Sequence, residues 1–150
     1  VTTDYDALKE GLQAAIPFNN HLGIKYVDIG PATGVTELPA DERLFNHVGS
    51  QHAAGMFGAG EAASGGALMA AFADRMGSIM PLAEGADIRY KKLAQGPITA
   101  TATFGADPEA LFAELDEAGR VRFPVEVELK DERDQTVAEM TVRWYVKKIG

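Results

Sequence analysis

From Ala53 to Ala73 the chain carries a single charge, Glu61, in a run otherwise built from small and apolar residues. The run is long enough to cross a bilayer. Against that reading stand five glycines (Gly55, Gly58, Gly60, Gly65 and Gly66) and the central carboxylate. An acid at mid-bilayer costs about 2.5–3.5 kcal/mol. In a soluble helix each interior glycine costs about 1 kcal/mol against alanine. Such a cost persists only where close backbone approach returns it through packing. The run therefore predicts a buried helix from about His52 to Met76, with a sheet or a second copy of the helix drawn close against it.

The rest of the chain supplies that sheet. Thr3 is placed to cap a first helix running to about Ile16, stopped by Pro17. Leu22 to Ile29 and Gly34 to Pro39 read as a hairpin turning at Gly30-Pro31, and Asn19-Asn20-His21 as a polar connector before it. Ala40 to Gln51 is a polar loop leading into the central helix. Ala86 to Leu93 reads as a strand, and Ile98, Ala100, Ala102 and Phe104 alternate with threonines at period two. Val121 to Leu129 and Ala138 to Val146 repeat that alternation on either side of a DERDQT loop. Asp107, Pro108 and Glu109 form the N-cap, first residue and first-turn acid of a short helix over 108–118, closed by Gly119. The predicted class is α+β: a curved antiparallel sheet around one long helix, in a single domain.

Composition removes several classes of function. With fourteen basic against twenty-two acidic residues the net charge is −8, and such a surface repels nucleic-acid backbones. There is no cysteine, so no disulfide, thiol nucleophile or thiolate metal site. His47 and His52 lie five apart and no H-E-x-x-H spacing occurs, so no metal site is expected. A serine-hydrolase elbow is also missing. The start VTTDYDALKE lacks the basic and apolar blocks of a signal peptide, and the expected location is the cytoplasm, with no membrane partner.

Glu61 is the first candidate for chemistry. A lone carboxylate in a small and apolar helix has its proton affinity raised by burial, lies on a narrow solvent-facing stripe, or is neutralised by an arginine from a neighbouring strand. Asn46, His47 and His52 precede it by 15, 14 and 9 residues, with Gly49 between the histidines. His52 falls at the helix start, where the N–H groups of Ala53 and Ala54 point outward and are suited to stabilise a developing oxyanion. The bland readings are an Asx turn for Asn46 and a helix-start residue for His52. Arg89, Lys91 and Lys92 form the densest basic group, with the choice open between a phosphate site and a solvated strand face.

The run Asn46-x-x-Gly49-x-x-His52, with an acid nine residues on, resembles the helix-start motif of PaaI-like hotdog acyl-CoA thioesterases. LGIKYVDIGPATGVTELPADERLFNHVG is similar to their first hairpin and loop. IRYKKLAQGPITATATF is similar to their middle strands, and VEVELKDERDQTVAEMTVRWYV to their last hairpin. The resemblance covers about residues 20 to 147. It implies a hotdog-fold homodimer or homotetramer that hydrolyses an acyl-CoA or acyl-carrier thioester without a cofactor, coenzyme A being part of the substrate. Glu61 would be the nucleophile or general base, and Asn46 would orient the attacking group or the substrate, across a dimer interface in that family. Ala53 and Ala54, in place of the family's paired glycines, would supply the oxyanion hole, with His52 ordering the helix start. Some relatives place a serine or threonine on the strand after the helix; Ala83 stands there, with Ser64 and Ser78 as nearby hydroxyls.

Two other functions fit the same residues. The spacing of His47 and Glu61 is similar to the histidine–glutamate pair of hotdog hydroxyacyl dehydratases, where histidine removes an α-proton. A non-catalytic acyl-binding hotdog protein would bind the same ligand without releasing thiol.

Overall fold

Small residues decide how closely the layers meet. The computed structural model describes residues 2–150. Its strands are β1 (Lys25–Gly30), β2 (Thr33–Leu38), β3 (Ile79–Tyr90), β4 (Ile98–Thr103), β5 (Arg120–Lys130) and β6 (Thr136–Lys148). They form one antiparallel sheet in the order β1-β2-β4-β5-β6-β3. The helices are α1 (Tyr5–Ala15), α2 (Pro17–Leu22), α3 (Ala53–Ala71) and α4 (Pro108–Ala118). Helix α3 lies in the curve of the sheet, packed against β2, β4 and β5.

The tightest contact is between α3 and β2. A methyl group on Gly34 would lie 2.6 Å from Ala67 N and would run into the carbonyl oxygen of Ala63. Two positions along the strand, Thr36 Oγ1 donates to Ala59 O at 2.7 Å. Within α3 the close-approach argument holds at two glycines above all. Met140 Sδ and Ile29 Cδ1 press on Gly60 and Gly66, at 2.6 and 2.7 Å from where a Cβ would sit. Gly55 and Gly65 have room for a methyl at ordinary contact, 3.4 and 3.6 Å.

The core side of the sheet follows the period-two reading. Ile98, Ala100 and Ala102, then Val121 to Leu129 at alternate positions, then Met140, Val142, Trp144 and Val146 are buried. Phe72, Phe104 and Phe123 close the core at the C-terminal end of α3, with Phe72 and Phe123 stacked at 5.7 Å. Trp144 and Tyr145 take opposite faces: Trp144 is buried and Tyr145 lies under the Arg122 guanidinium at 4.7 Å. Pro124 sits beyond Glu126, the last β5 residue that β4 pairs, where one side of the strand is open and proline is tolerated. Among the described residues no helix is long and apolar enough to cross a membrane.

Several boundaries differ from the sequence reading. Asp4, not Thr3, caps α1, its carboxylate accepting from Ala7 N at 3.0 Å. Pro17 ends α1 but also begins α2, because its fixed φ suits a first helical position. The connector Asn19-Asn20-His21 is therefore helical, and β1 starts at Lys25 once Gly23, at φ 74°, has ended α2. Helix α3 stops at Ala71, and Ala73–Ser78 continue as a tighter 3-10 turn. The strand predicted over 86–93 runs from Ile79 to Tyr90. A bulge between Ala83 and Gly85 accounts for that difference, placing one extra residue, Glu84, in the strand. The apolar side is thus odd-numbered before the bulge (Ile79, Pro81, Ala83) and even-numbered after it (Ala86, Ile88, Tyr90).

Candidate active site

Helix α3 buries every side but one. Ala54, Phe57, Glu61, Gly65 and Met69, at spacings of three and four, form its uncovered stripe. Glu61 is half-buried at the centre of that stripe and has no hydrogen-bond or ion-pair partner among the described residues. Burial without a cation to offset it raises the pKa of its carboxyl above the ordinary glutamate value.

Glu61 lines an apolar groove of about 700 Å³ with Phe18, His52, Ala54, Phe57 and Tyr90. Tyr90, at the end of β3, donates its hydroxyl to Ala53 O at 3.0 Å and so fixes one wall. Below the groove, Tyr26 is buried on β1 and its oxygen accepts from Asn19 Nδ2 at 3.3 Å. Burial first, and the charge of Glu61 second, raise the tyrosine's pKa. Phe18, Asn19 and Tyr26 come from α2 and the adjoining β1, Tyr90 from the distant β3, and no local motif marks them.

The helix start is arranged by His52. It is the N-cap of α3, and its Nδ1 accepts the Ala54 N–H at 2.9 Å. Ala53 lines the groove, and its N–H finds no acceptor among the described residues. Replacing His52 with alanine is expected to cost about 1 kcal/mol by loss of the cap, lowering Tm by about 2–4 °C in a chain of this size. Asparagine, an equivalent cap, is expected to hold Tm near wild type. Thermal denaturation followed by circular dichroism distinguishes the two.

The other candidates are dispersed. Asn46 fills all four of its hydrogen-bonding positions inside its own loop. Its Oδ1 accepts from Val48 N and Ser50 N, both at 3.0 Å, and its Nδ2 donates to Ser50 Oγ and Gln51 O at 2.8 and 3.3 Å. It does not line the groove of its own chain. His47 is exposed in that loop and does not line the groove either.

Arg89, Lys91 and Lys92 are exposed on and just after β3, away from the groove. Arg89 lies among Asp87, Glu126 and Glu139, Lys91 pairs with Glu139, and Lys92 donates to Gln135. Ser64 is buried, donating to Glu61 O at 2.7 Å and accepting from Trp144 Nε1 at 3.1 Å, which makes it a structural tie. Ser78 donates to Arg75 O beyond the far end of α3. Among the described residues no cluster of three or more histidine, aspartate or glutamate side chains is arranged to hold a metal ion.

A curved antiparallel sheet wrapped around one long helix is the hotdog fold. The chain belongs to the family described as "Domain of unknown function (DUF4442)", which matches residues 5–146. A Pseudomonas aeruginosa protein of unknown function, described as a probable thioesterase, superposes with a TM-score of 0.84 at 22% identity over 96% of this chain and 95% of its own. The Escherichia coli PaaI protein, from the phenylacetic acid degradation operon, gives 0.69 at 18% identity over 97% and 90%. A Staphylococcus aureus thioesterase gives 0.72 at 16% identity over 88% and 99%. At these identities the likeness is one of fold. No curated protein matches the chain in sequence.

Proposed function

We propose that the protein hydrolyses an acyl thioester, with Glu61 as the reacting carboxylate. The observation that carries this reading is the coincidence, in one apolar groove, of an unpaired carboxylate and an unpaired backbone N–H at a helix start. With Glu61 as general base, the carboxylate takes a proton from water as the water oxygen attacks the thioester carbonyl carbon. The carbonyl oxygen becomes an oxyanion held by the Ala53 N–H and the positive end of α3. Collapse breaks the carbon–sulfur bond, and the thiolate recovers the proton from the Glu61 carboxyl, leaving acid and thiol. With Glu61 as nucleophile, the same carboxylate attacks the carbonyl carbon, the carbon–sulfur bond breaks and the thiolate leaves; water then cleaves the resulting anhydride to the acid and the free Glu61 carboxylate, and its released proton goes to the thiolate. A carboxylate with a raised pKa is the stronger base in either case.

Ala54 N–H joins the oxyanion site only when its bond to His52 opens. Asn46, fully engaged in its own chain, acts by shaping the loop that precedes the helix start. The Staphylococcus aureus thioesterase has been solved with a glutamate changed to alanine and with a glutamine fifteen residues earlier changed to alanine. That separation is the one between Asn46 and Glu61, and it supports treating the two positions as one unit.

A second copy of the chain belongs to this reading. Strand β3 is an edge, paired only with β6, and its apolar-side residues Ala83, Ala86, Ile88 and Tyr90 are not buried. A partner along β3 would roof the Glu61 groove and bring a second Asn46 loop toward it. Light scattering is expected to give a dimer or tetramer of the 16.0 kDa chain. Ile88→Lys is expected to yield monomers without turnover; a monomeric, fully active wild type removes the partner from the mechanism.

The test of function is thiol release from short, medium, long and aryl acyl-CoAs by wild type and Glu61→Gln. Turnover that disappears with Glu61→Gln supports the proposal. Acyl-CoA binding with no thiol release by either protein overturns it in favour of an acyl-binding role.

A further inference from the structure

Tyr26 is held at both ends. Its backbone N–H donates to Gln13 Oε1 at 2.7 Å, and its hydroxyl oxygen accepts from Asn19 Nδ2 at 3.3 Å. Gln13 Nε2 donates in turn to Ile24 O at 3.1 Å and to Asn20 Oδ1 at 3.0 Å, so α1, α2 and β1 are tied together around this one side chain. Asn19 and Tyr26 are 2% and 6% exposed. A phenol clamped this firmly, and buried, has one position to act from.

That position is against α3. A Cβ on Gly66 would lie 3.4 Å from Tyr26 Cε1, and one on Gly58 would lie 3.6 Å from Cε2 of Phe18, the α2 neighbour of Asn19. The hydroxyl that Asn19 holds is therefore bracketed along the helix by Gly58 and Gly66. Glu61 and Ala62, three and four residues after Gly58, stand between them on the same side of the turn.

Tyr26 and Glu61 each lack what the other offers. The Tyr26 hydroxyl has one proton, and among the described residues nothing accepts it. A buried donor without an acceptor is costly. Glu61 has two acceptor oxygens and no donor. Burial and the charge of Glu61 both keep the phenol protonated wherever Glu61 ionises, and the second effect requires the two groups to be within electrostatic reach. The other polar groups nearby are committed elsewhere. Tyr90 donates to Ala53 O, His52 Nδ1 accepts from Ala54 N, and no lysine or arginine lines the groove. From α1 the residues packed on the core are Tyr5, Leu8 and Leu12.

Resting on Glu61 as the reacting carboxylate, we propose that Tyr26 is its positioning residue: the hydroxyl donates a hydrogen bond to the ionised Glu61 carboxylate, whose side chain nothing else pins, and aims it at the thioester. Asn19 and Gln13 act through Tyr26, one by donating to its oxygen and so strengthening it as a donor, the other by fixing its backbone. A bond to the charged form favours that form, so Tyr26 tempers the rise that burial gives the Glu61 carboxyl.

The experiment follows the Glu61 carboxyl carbon by NMR against pH in wild type and Tyr26→Phe, beside the pH profile of kcat/KM for one acyl thioester. Tyr26→Phe is expected to raise the Glu61 midpoint by about one pH unit, the scale of one hydrogen bond to a charged group. The acid limb moves with it, and kcat on the plateau falls about fivefold with KM within about twofold. A Tyr26 with a merely structural role lowers Tm and leaves both midpoints in place. That result overturns the assignment, and the hydroxyl proton then belongs to the Asn19 amide oxygen. A measurement on wild type does not depend on the variant folding: the Tyr26 Cζ signal is expected to inflect at the Glu61 midpoint and to lose that inflection in Glu61→Gln. No inflection also overturns the assignment. Neither titration needs turnover. If no thioester is cleaved but the Glu61 midpoint rises in Tyr26→Phe, the hydrolase reading fails and the Tyr26–Glu61 bond stands. If Glu61→Gln abolishes thiol release while the midpoint is equal in wild type and Tyr26→Phe, the hydrolase reading stands and the role of Tyr26 falls.

Discussion

Replacing Glu61 with glutamine is expected to lower kcat for thioester hydrolysis about 10³-fold, within the 10²–10⁴ range that a positioned acid or base contributes. The glutamine keeps the shape of the side chain and removes only its ability to carry charge and accept a proton. The same change is expected to raise stability at neutral pH. Burial raises the Glu61 pKa in the folded protein, so the folded state holds its proton to higher pH than the unfolded chain does. Stability from this group is fully present below the unfolded-state pKa and is lost as pH rises through the folded-state value. Above that value the buried charge is a standing cost, and Glu61→Gln removes it, with each 1 kcal/mol of relief worth about 2–4 °C in Tm. Activity runs the other way: kcat/KM rises on the acid limb as Glu61 ionises, at a pH above that of an ordinary glutamate. A Tm that is lower in Glu61→Gln, or an acid limb at the ordinary glutamate pKa, would contradict the environment described for this residue.

Gly34→Ala is the second large effect, and it acts on stability. Its methyl would meet the Ala67 nitrogen at 2.6 Å and the Ala63 carbonyl oxygen closer still. Both obstacles are helix backbone, so neither can rotate away, and α3 must lift off β2. Overpacking in cores usually costs about 1–3 kcal/mol; here about 3 kcal/mol or more is expected, a Tm loss of about 6–12 °C. Lifting the helix would also stretch the Thr36–Ala59 bond and displace the Glu61 groove. Gly65→Ala is the control: its methyl meets Trp144 at 3.6 Å, so the gain in helix propensity of up to about 1 kcal/mol is retained. Chemical denaturation of the two variants should give midpoints on opposite sides of wild type.

Where the determinants are local, the sequence is easily read. Asp107, Pro108 and Gly119 bound α4 because a cap, a first-position proline and a left-handed terminator act within a turn of the helix they delimit. Asp4 and Thr3 both have oxygens fit to cap α1, and nothing in their neighbours ranks one above the other. Pro17 shows the limit of a stop signal, since the residue that ends one helix is equally suited to begin the next. Strand β3 was half hidden because its alternation changes from odd to even at Glu84, and each half is then short.

The candidate site divides in the same manner. Glu61 and His52 are legible, one by its isolation in a small and apolar run, the other by its place before that run. Phe18, Tyr90 and Asn19 are not, because their places come from three-dimensional neighbours that no spacing encodes. Asn46 is legible as a residue of consequence, but its four hydrogen bonds are all to its own loop.

The cap at the start of α3 also settles what its imidazole offers the groove. With Nδ1 accepting from Ala54, the neutral ring carries its hydrogen on Nε2. In that tautomer the ring has a donor at Nε2 and its one lone pair is engaged at Nδ1, so His52 cannot abstract a proton without releasing the helix. Under the proposed hydrolysis, proton abstraction would therefore fall to Glu61, and His52 would offer only its N–H.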